Sequence, residues 1–239
     1  MKDKLLSIYH KEMFNPKLIG LFINPFFITR KALFNGIQKN AHLLKGKLLD
    51  FGCGRKPYKD LFEVDEYIGL DIKESGHDHK NENIDVYYNG EKIPFEKNYF
   101  DCVFSSEAFQ CVFELDNILN EINRVCKPNG YLLITVPFIW DENEMPYDCA
   151  RYTSSGIKYL LEKNNFEIIK LTKSTNFVET LFQMWNTYIY HILNYRIVQL
   201  FLNPIIITPI TIIGTIVSKI LPNIGGFYHN NIVLAKKIK

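Results

Sequence analysis

The stretch Leu48-Leu49-Asp50-Phe51-Gly52-Cys53-Gly54 constrains this 239-residue chain more than any other. A short apolar run ends in a carboxylate and then in two glycines one residue apart. That pattern reads as a buried strand feeding a tight turn, because glycine reaches backbone conformations closed to other residues. Arg55-Lys56-Pro57 follows, so proline stands where a G-x-G-x-x-G dinucleotide fingerprint has its third glycine. Proline suits the first turn of a helix, yet it removes an N–H from the place where a diphosphate takes its donors. Asp50 at the strand end repels a diphosphate and attracts a cation.

The apolar runs recur at 46–51, 65–72, 83–88, 100–106 and 130–138, each bounded by polar or glycine-containing segments. Between the last two, Leu115, Ile118, Leu119, Ile122 and Val125 repeat at helical spacing until Pro128 and Gly130 stop them. Thr153 is placed to N-cap a second helix lined by Ile157, Leu160 and Leu161. Residues 166–173 and 230–237 supply a sixth and a seventh strand. Strands alternating with helices predict an α/β fold, a Rossmann-like, mostly parallel seven-stranded sheet with helices on both faces. Residues 1–45, aromatic-rich and broken by Pro16 and Pro25, read as an N-terminal helical segment. The α/β domain then comprises 46–174 and 227–239, with 175–226 as a hydrophobic helical insertion before the last strand.

Charge and cysteine content exclude several function classes. Twenty-eight basic and 26 acidic residues leave a net charge of +2, no electrostatic footprint for nucleic acid. Five cysteines without C-x-x-C spacing argue against a zinc site or a disulfide framework. The opening residues lack a signal-peptide pattern, so a cytoplasmic location is expected. His77 and His79 resemble a metal clip, but i, i+2 spacing in a polar loop equally describes solvated side chains; no metal is expected. Neither the nucleophile-elbow pattern nor a phosphate loop occurs, which removes hydrolase and NTPase readings.

S-adenosylmethionine is a nucleoside cofactor with a cationic amine and no phosphate. Its amine would be drawn to Asp50, and Gly52 and Gly54 would let the backbone approach its methionine portion. Asp71, at the end of the second strand, can accept both ribose hydroxyls. Asn89 and the backbone of Gly90, after the third strand, can read the adenine edge. Ile72 and Ser105, at the ends of the second and fourth strands, complete the candidate cofactor-binding set.

LLDFGCG (48–54), YIGLDI (67–72), IPFEKNYFDCVFSSE (93–107) and EINRVCKPNGYLLITVPF (121–138), taken in order, resemble the class I S-adenosylmethionine-dependent methyltransferases. The resemblance covers roughly residues 46–172. The segment that follows is similar to a subgroup associated with bacterial surface polysaccharide or lipid-linked glycan synthesis. That subgroup's pattern of Pro-Phe, His-Glu, Pro, Asp and Arg-Tyr-Thr falls on Pro137-Phe138, Asn143-Glu144, Pro146, Asp148 and Arg151-Tyr152-Thr153. This chain departs from it at Asn143 and Cys111, where relatives carry histidine, and at Asn89, where an acid is common. The resemblance implies methyl transfer to a hydroxyl of a sugar or lipid-linked glycan.

Glu144 and Asp148 are the candidate proton acceptors, with Glu107 after the fourth strand as another. Arg151 can pair with Asp148 or hold an acidic group of the acceptor. Tyr152 can wall the pocket or donate a hydrogen bond, and Trp140 can stack on a sugar or cover the core. Three other readings stay open: a non-catalytic cofactor-binding or scaffold protein, a small-molecule methyltransferase, and a dinucleotide-dependent sugar-modifying enzyme.

Residues 197–218 contain no charged side chain and are flanked by Arg196 and Lys219. The run is long enough to cross a bilayer. Pro204 and Pro209 interrupt it, and a single crossing would separate 230–237 from the sheet it must join. A hairpin dipping into one leaflet or an interfacial lid is expected, with Phe22, Phe26 and Phe27 near Arg30 and Lys31 beside it. A dimer interface and a hydrophobic cover over the pocket are the alternatives. The expected partners are a small-molecule or lipid-linked glycan acceptor, the inner face of the cell membrane as a peripheral contact, and a second copy of the chain.

Overall fold

A computed structural model describes residues 2–73, 83–193 and 201–238. Its helices are α1 (Lys2–Phe14), α2 (Gly20–Ile23), α3 (Phe27–Ala41), α4 (Leu115–Val125), α5 (Ser154–Lys163), α6 (Phe177–Ile192) and α7 (Thr208–Ile220). The strands are β1 (Lys47–Phe51), β2 (Glu66–Ile72), β3 (Val86–Tyr88), β4 (Phe100–Ser106), β5 (Cys126–Pro137), β6 (Phe166–Lys173) and β7 (Asn230–Lys237). They form one sheet in the order β3-β2-β1-β4-β5-β7-β6. β1 pairs in parallel with β2 and β4, β2 with β3, and β4 with β5, whereas β7 runs antiparallel to β5. This is the expected seven-stranded, mostly parallel Rossmann-like sheet. Strand order reverses between β1 and β4, and the crevice at such a switch point is where α/β sheets bind ligands.

The chain divides into two compact units. One contains residues 36–172 and 230–239, the other residues 1–35 and 173–229. The N-terminal segment and the hydrophobic insertion therefore belong to the same unit, and the boundary falls inside α3.

The sheet unit has an apolar interior. Leu48 and Leu49 of β1, Val103 and Phe104 of β4, and Leu132 to Ile134 of β5 are buried, as the runs flanked on both faces require. α4 contributes Leu115, Ile118, Leu119, Ile122 and Val125, its whole periodic stripe. It ends at Val125 because the chain enters β5 at once, two residues before Pro128. Thr153 caps α5, its side chain accepting the Gly156 N–H at 3.1 Å. Lys237 closes the far end: its buried Nζ donates to the carbonyls of Asn123 and Cys126 at 2.7 and 2.8 Å.

One local expectation is corrected. Pro57 does not open a helix: β1 passes to β2 through turns and a single 3-10 turn, Lys59–Leu61. Lys56, immediately before it, takes a left-handed φ of 52°, which turns the chain away from a helical path.

The helical unit is built the other way round. On α6 the buried residues are Thr180, Gln183, Asn186 and Thr187. On α7, which continues a π-helical turn at Asn203–Ile207, they are Thr208, Thr211, Gly214 and Ser218. Asn186 Nδ2 donates to Thr211 Oγ1 at 2.9 Å, and Gln183 Nε2 to the carbonyl of Pro25 at 3.0 Å. Thr208 Oγ1 donates to the carbonyl of Leu21 at 2.9 Å. Glu12 Oε2 accepts the N–H groups of Lys17 and Gly20, both at 2.7 Å, and so closes the turn from α1 to α2.

Candidate active site

Gly52 leaves β1 with φ +69° and Gly54 follows with +46°, the left-handed region that glycine enters without steric cost. A Cβ on Gly52 would lie 2.3 Å from the Cβ of Ala108, so this turn approaches the segment after β4 only because residue 52 has no side chain. Asp71, at the end of β2, meets the turn directly. Its Oδ2 accepts the Gly54 N–H at 2.8 Å and its Oδ1 the Ile72 N–H, also at 2.8 Å. A carboxylate offers about four acceptor sites, so two backbone donors do not exhaust it. Ser105, at the end of β4, is buried, and its Oγ has no hydrogen-bond partner.

Asp50 lies deeper than a residue at the mouth of the turn. It is buried, opposite Gly69 of β2 in register, and its Oδ2 accepts the Tyr67 hydroxyl at 2.5 Å. Burial pushes its pKa up to about 7; the Tyr67 hydrogen bond opposes the rise and the negative charge of Asp71 adds to it. Here the carboxylate braces β1 against β2 beneath the turn, a role its sequence position did not disclose.

A second brace was also missed. Lys56 Nζ and the Gly69 N–H both donate to Asp85 Oδ2, each at 2.6 Å. The Lys56 side chain is only 4% exposed. It passes over Gly69, where a Cβ would lie 2.2 Å from Lys56 Cε. Burial raises the pKa of Asp85, but the Gly69 N–H and the Lys56 ammonium outweigh it and hold the carboxyl below its ordinary range. The signal was present: glycine in the interior of a strand marks close approach by another group. Lys56 is thereby committed to Asp85 and is no free cation for a phosphate.

Asn89 and Gly90 form the turn after β3. Asn89 Oδ1 accepts the N–H groups of Glu91 and Lys92 at 3.1 and 3.3 Å, and Gly90 has φ +86°. Asn89 thus shapes the turn through its side chain.

The loop after β5 gathers the remaining candidates. Gln110, after β4, accepts the Cys149 and Ala150 N–H groups at its carbonyl, at 3.0 and 3.1 Å. That contact draws the Arg-Tyr-Thr segment toward Cys111. Arg151 is bidentate on Asp148, Nη1 to Oδ1 at 2.5 Å and Nη2 to Oδ2 at 2.7 Å. It also donates to the carbonyls of Trp140, Ala150 and Asp141. Five donor contacts occupy the whole guanidinium fork. The Asp148 side chain is fully buried, accepts the Asn143 N–H as well, and is held below the usual carboxylate range chiefly by Arg151. The pair is a loop clamp, with the carboxylate held as a poor proton acceptor and no N–H of the arginine spare for an acidic substrate group.

Tyr152 is half-buried against the core. Its N–H donates to the Pro137 carbonyl and its own carbonyl accepts Asn231 Nδ2 at 2.8 Å. Burial raises its hydroxyl pKa to about 12. Glu107 carries a left-handed φ of 56°, and its carboxylate accepts Thr135 Oγ1 at 2.9 Å and Asn230 Nδ2 at 2.7 Å. Glu144 is half-buried and close enough to Cys111 for its charge, after burial and that of Asp148, to help push the thiol up to about 12. The loop therefore brings Glu144, Asp148, Arg151 and Cys111 together. The His77 and His79 pair lies outside the described residues.

Residues 49–134, from β1 into β5, match the family model of a methyltransferase domain. A putative methyltransferase of Bacillus halodurans superposes on 87% of this chain and 99% of its own with a TM-score of 0.54, at 18% identity. The chain has a Rossmann-like methyltransferase fold. Phosphoethanolamine N-methyltransferase 2 of Haemonchus contortus, solved in complex with S-adenosyl-L-methionine, shares the fold over 95% of this chain and 59% of its own, with a TM-score of 0.53 and 16% identity. The phthiotriol/phenolphthiotriol dimycocerosates methyltransferase 1 of Mycobacterium ulcerans is 37% identical over 111 residues, 44% of this chain. The aligned stretch spans 40% of that relative's length.

The methyltransferase domain's residues fit S-adenosylmethionine and not a diphosphate. No helix N-terminus follows the glycine turn to receive phosphate oxygens. Lys56 is neutralised by Asp85, and the acidic Asp71 is hydrogen-bonded to the turn itself. Asp71 would hold the ribose, the Gly52–Gly54 backbone would pass along the methionine portion, and the buried Ser105 hydroxyl would find a partner there.

Proposed function

We propose that this chain is an S-adenosylmethionine-dependent methyltransferase acting on a hydroxyl of a sugar or lipid-linked glycan. The observation that carries the reading is the Asp71 to Gly54 hydrogen bond. It joins the acid of β2 to the glycine turn of β1 in a cradle that no helix N-terminus follows. When bound, the cofactor supplies an electrophilic sulfonium methyl; the acceptor oxygen takes it, S-adenosylhomocysteine leaves, and the acceptor's proton must go to a base.

This chain narrows the choice of base. Asp148 is clamped by Arg151, and Glu107 is bound by Thr135 and Asn230. Glu144, half-buried on the same loop and near Cys111, is the base we assign to accept the proton. Positioning of the acceptor hydroxyl in line with the methyl carries the rest of the rate. The acceptor class rests on the Pro-Phe to Arg-Tyr-Thr loop pattern.

Calorimetry tests the cofactor. S-adenosylmethionine and S-adenosylhomocysteine are expected to bind and NAD to fail. Asp71→Ala is expected to weaken binding by about 1–3 kcal/mol, the loss of charge-assisted hydrogen bonds. Tight NAD binding with neither sulfur compound bound would reject the reading. Transfer of labelled methyl to a glycan-lipid extract tests the acceptor, and Glu144→Gln is expected to slow it by about 10²–10⁴-fold with cofactor affinity unchanged.

A second reading, cofactor binding without methyl transfer, is favoured by the Asp148–Arg151 clamp. Binding of S-adenosylmethionine with no methylated glycan would select it.

A further inference from the structure

We propose that the helical unit, residues 1–35 and 173–229, seats the protein in a lipid bilayer carrying anionic headgroups, with its apolar faces turned outward into the acyl chains. This inference does not depend on methyl transfer.

The polarity of the unit is inverted. A helix of a water-soluble protein buries its apolar stripe and shows its polar one. α6 buries Gln183 and Asn186 completely and exposes Leu181, Trp185, Tyr188 and Ile192. α7 buries Thr208 and Thr211 and exposes Ile212, Ile213, Ile216 and Ile220. The 18 residues Asn203–Ile220 form a helix apolar enough to enter a membrane, and only a third of it is buried. Of the exposed large hydrophobic side chains among the described residues, eighteen belong to this unit and seven to the larger sheet unit.

The interior has the chemistry of helices packed without water. Helix association in lipid relies on small residues and on interhelical hydrogen bonds, because burying leucine gains nothing against acyl chains. Here Asn186 donates to Thr211 across the pair, and Thr187, Thr215 and Ser218 return their hydroxyls to backbone carbonyls three or four residues back. Gly214 admits Phe182 so closely that a Cβ would lie 2.5 Å from its ring. Trp185 and Tyr188 stack on the outer face, ring centroids 5.5 Å apart, the amphipathic pair suited to a membrane interface.

Charge selects the occupant. Residues 1–35 and 173–229 hold nine basic and three acidic side chains, against nineteen and twenty-three in the remainder. The helical unit is thus +6 within a chain of net +2. Two copies placed face to face would oppose like charges, whereas an anionic lipid surface complements them. The basic residues stand beside apolar ones: Lys17 precedes the exposed Leu18 and Ile19, and Lys219 precedes Ile220 and Leu221.

The test uses the full chain with Trp140→Phe, which leaves Trp185 as the sole tryptophan. Detergent is removed in the presence of phosphatidylcholine vesicles with and without phosphatidylglycerol, and vesicles are floated on a gradient. Flotation with phosphatidylglycerol and quenching of Trp185 by lipids brominated on their acyl chains are expected. In the same background, Ile213→Lys with Ile216→Lys is expected to lower vesicle affinity about tenfold or more, with S-adenosylhomocysteine binding retained. Protein left at the bottom of the gradient, as monomer or as a dimer by light scattering, overturns the proposal. So does flotation without quenching of Trp185. Because quenching is read without the lysine substitutions, a misfolded double variant does not blunt the test.

Discussion

Phe100 and Gln183 occupy equivalent environments by exposure: each is completely buried. One is the aromatic centre of the sheet unit, the other a polar amide in the middle of the helical unit. The sheet unit follows the rule for water, with apolar strands and the α4 stripe inside. The helical unit reverses it and still satisfies most of its buried polar groups, through Gln183, Thr187 and Thr211. The contrast teaches that burial is defined by the surrounding solvent; on the proposed bilayer seating, one chain specifies two solvents by placing its threonines and isoleucines on opposite sides of otherwise similar helices.

The most direct way to break this comparison is truncation on each side. Phe100→Ala is expected to lower the unfolding free energy by about 3–5 kcal/mol, through lost burial and a cavity, measured by urea denaturation. Ile213→Ala, more than half exposed, is expected to change it by less than about 0.5 kcal/mol. A large loss at Ile213 would mean that this face is covered within the protein, and the inversion would fail.

The next effect is electrostatic and belongs to the sheet unit alone. Burial raises the Asp50 pKa from the ordinary carboxylate range to about 7, so the folded state keeps a proton that the unfolded chain releases. That contribution is complete below about pH 4 and is lost as pH rises through 7, by at most about 1.4 kcal/mol per pH unit. Asp85 and Asp148, with lowered values, act in the opposite sense and below about pH 4. Urea midpoints at pH 4.5 and 7.5 are therefore expected to differ less in Asp50→Asn than in the parent; equal differences would show that Asp50 is solvated.

The smallest expected effect sharpens the comparison by showing where it stops. Thr153 caps α5 in the sheet unit, and Asn176 forms a reciprocal capping box with Glu179 at the start of α6. Alanine at either position is expected to cost about 1 kcal/mol, because an orphan N–H at a helix start needs an acceptor in both units. Thermal or urea melts of the two variants measure this.

Much of the sheet was legible in the sequence because its strands are local patterns. Residues 100–106, 166–173 and 230–237 are strands with the predicted bounds, and α4 follows its apolar stripe. The absent helix after β1 was not legible, since Pro57 permits a helix without requiring one and Lys56 decides the direction through a backbone angle. The positions of Gly52, Gly54 and Asp71 could be read from spacing, but not the burial of Asp50, which depends on Tyr67 seventeen residues away. The clamp of Asp148 by Arg151 was foreseen as one of two uses for the arginine; only geometry shows that all five donors are taken. The uncharged run could be found by inspection, yet its inversion could not. Which side Thr208 and Thr211 face depends on partners in α6 and near Leu21.

The pairing of Thr208 with Leu21 and of Gln183 with Pro25 also sets an order of events during synthesis. The first 35 residues leave the ribosome long before their partners, because the whole of residues 36–172 is made in between. At bacterial and eukaryotic elongation rates this leaves roughly 7–27 s in which this aromatic, basic segment lacks its partners in α6 and α7. For that interval Phe26 lacks Tyr190, against whose ring it packs edge-on in the folded chain, so the helical unit can close only after the sheet unit's first 137 residues have been made.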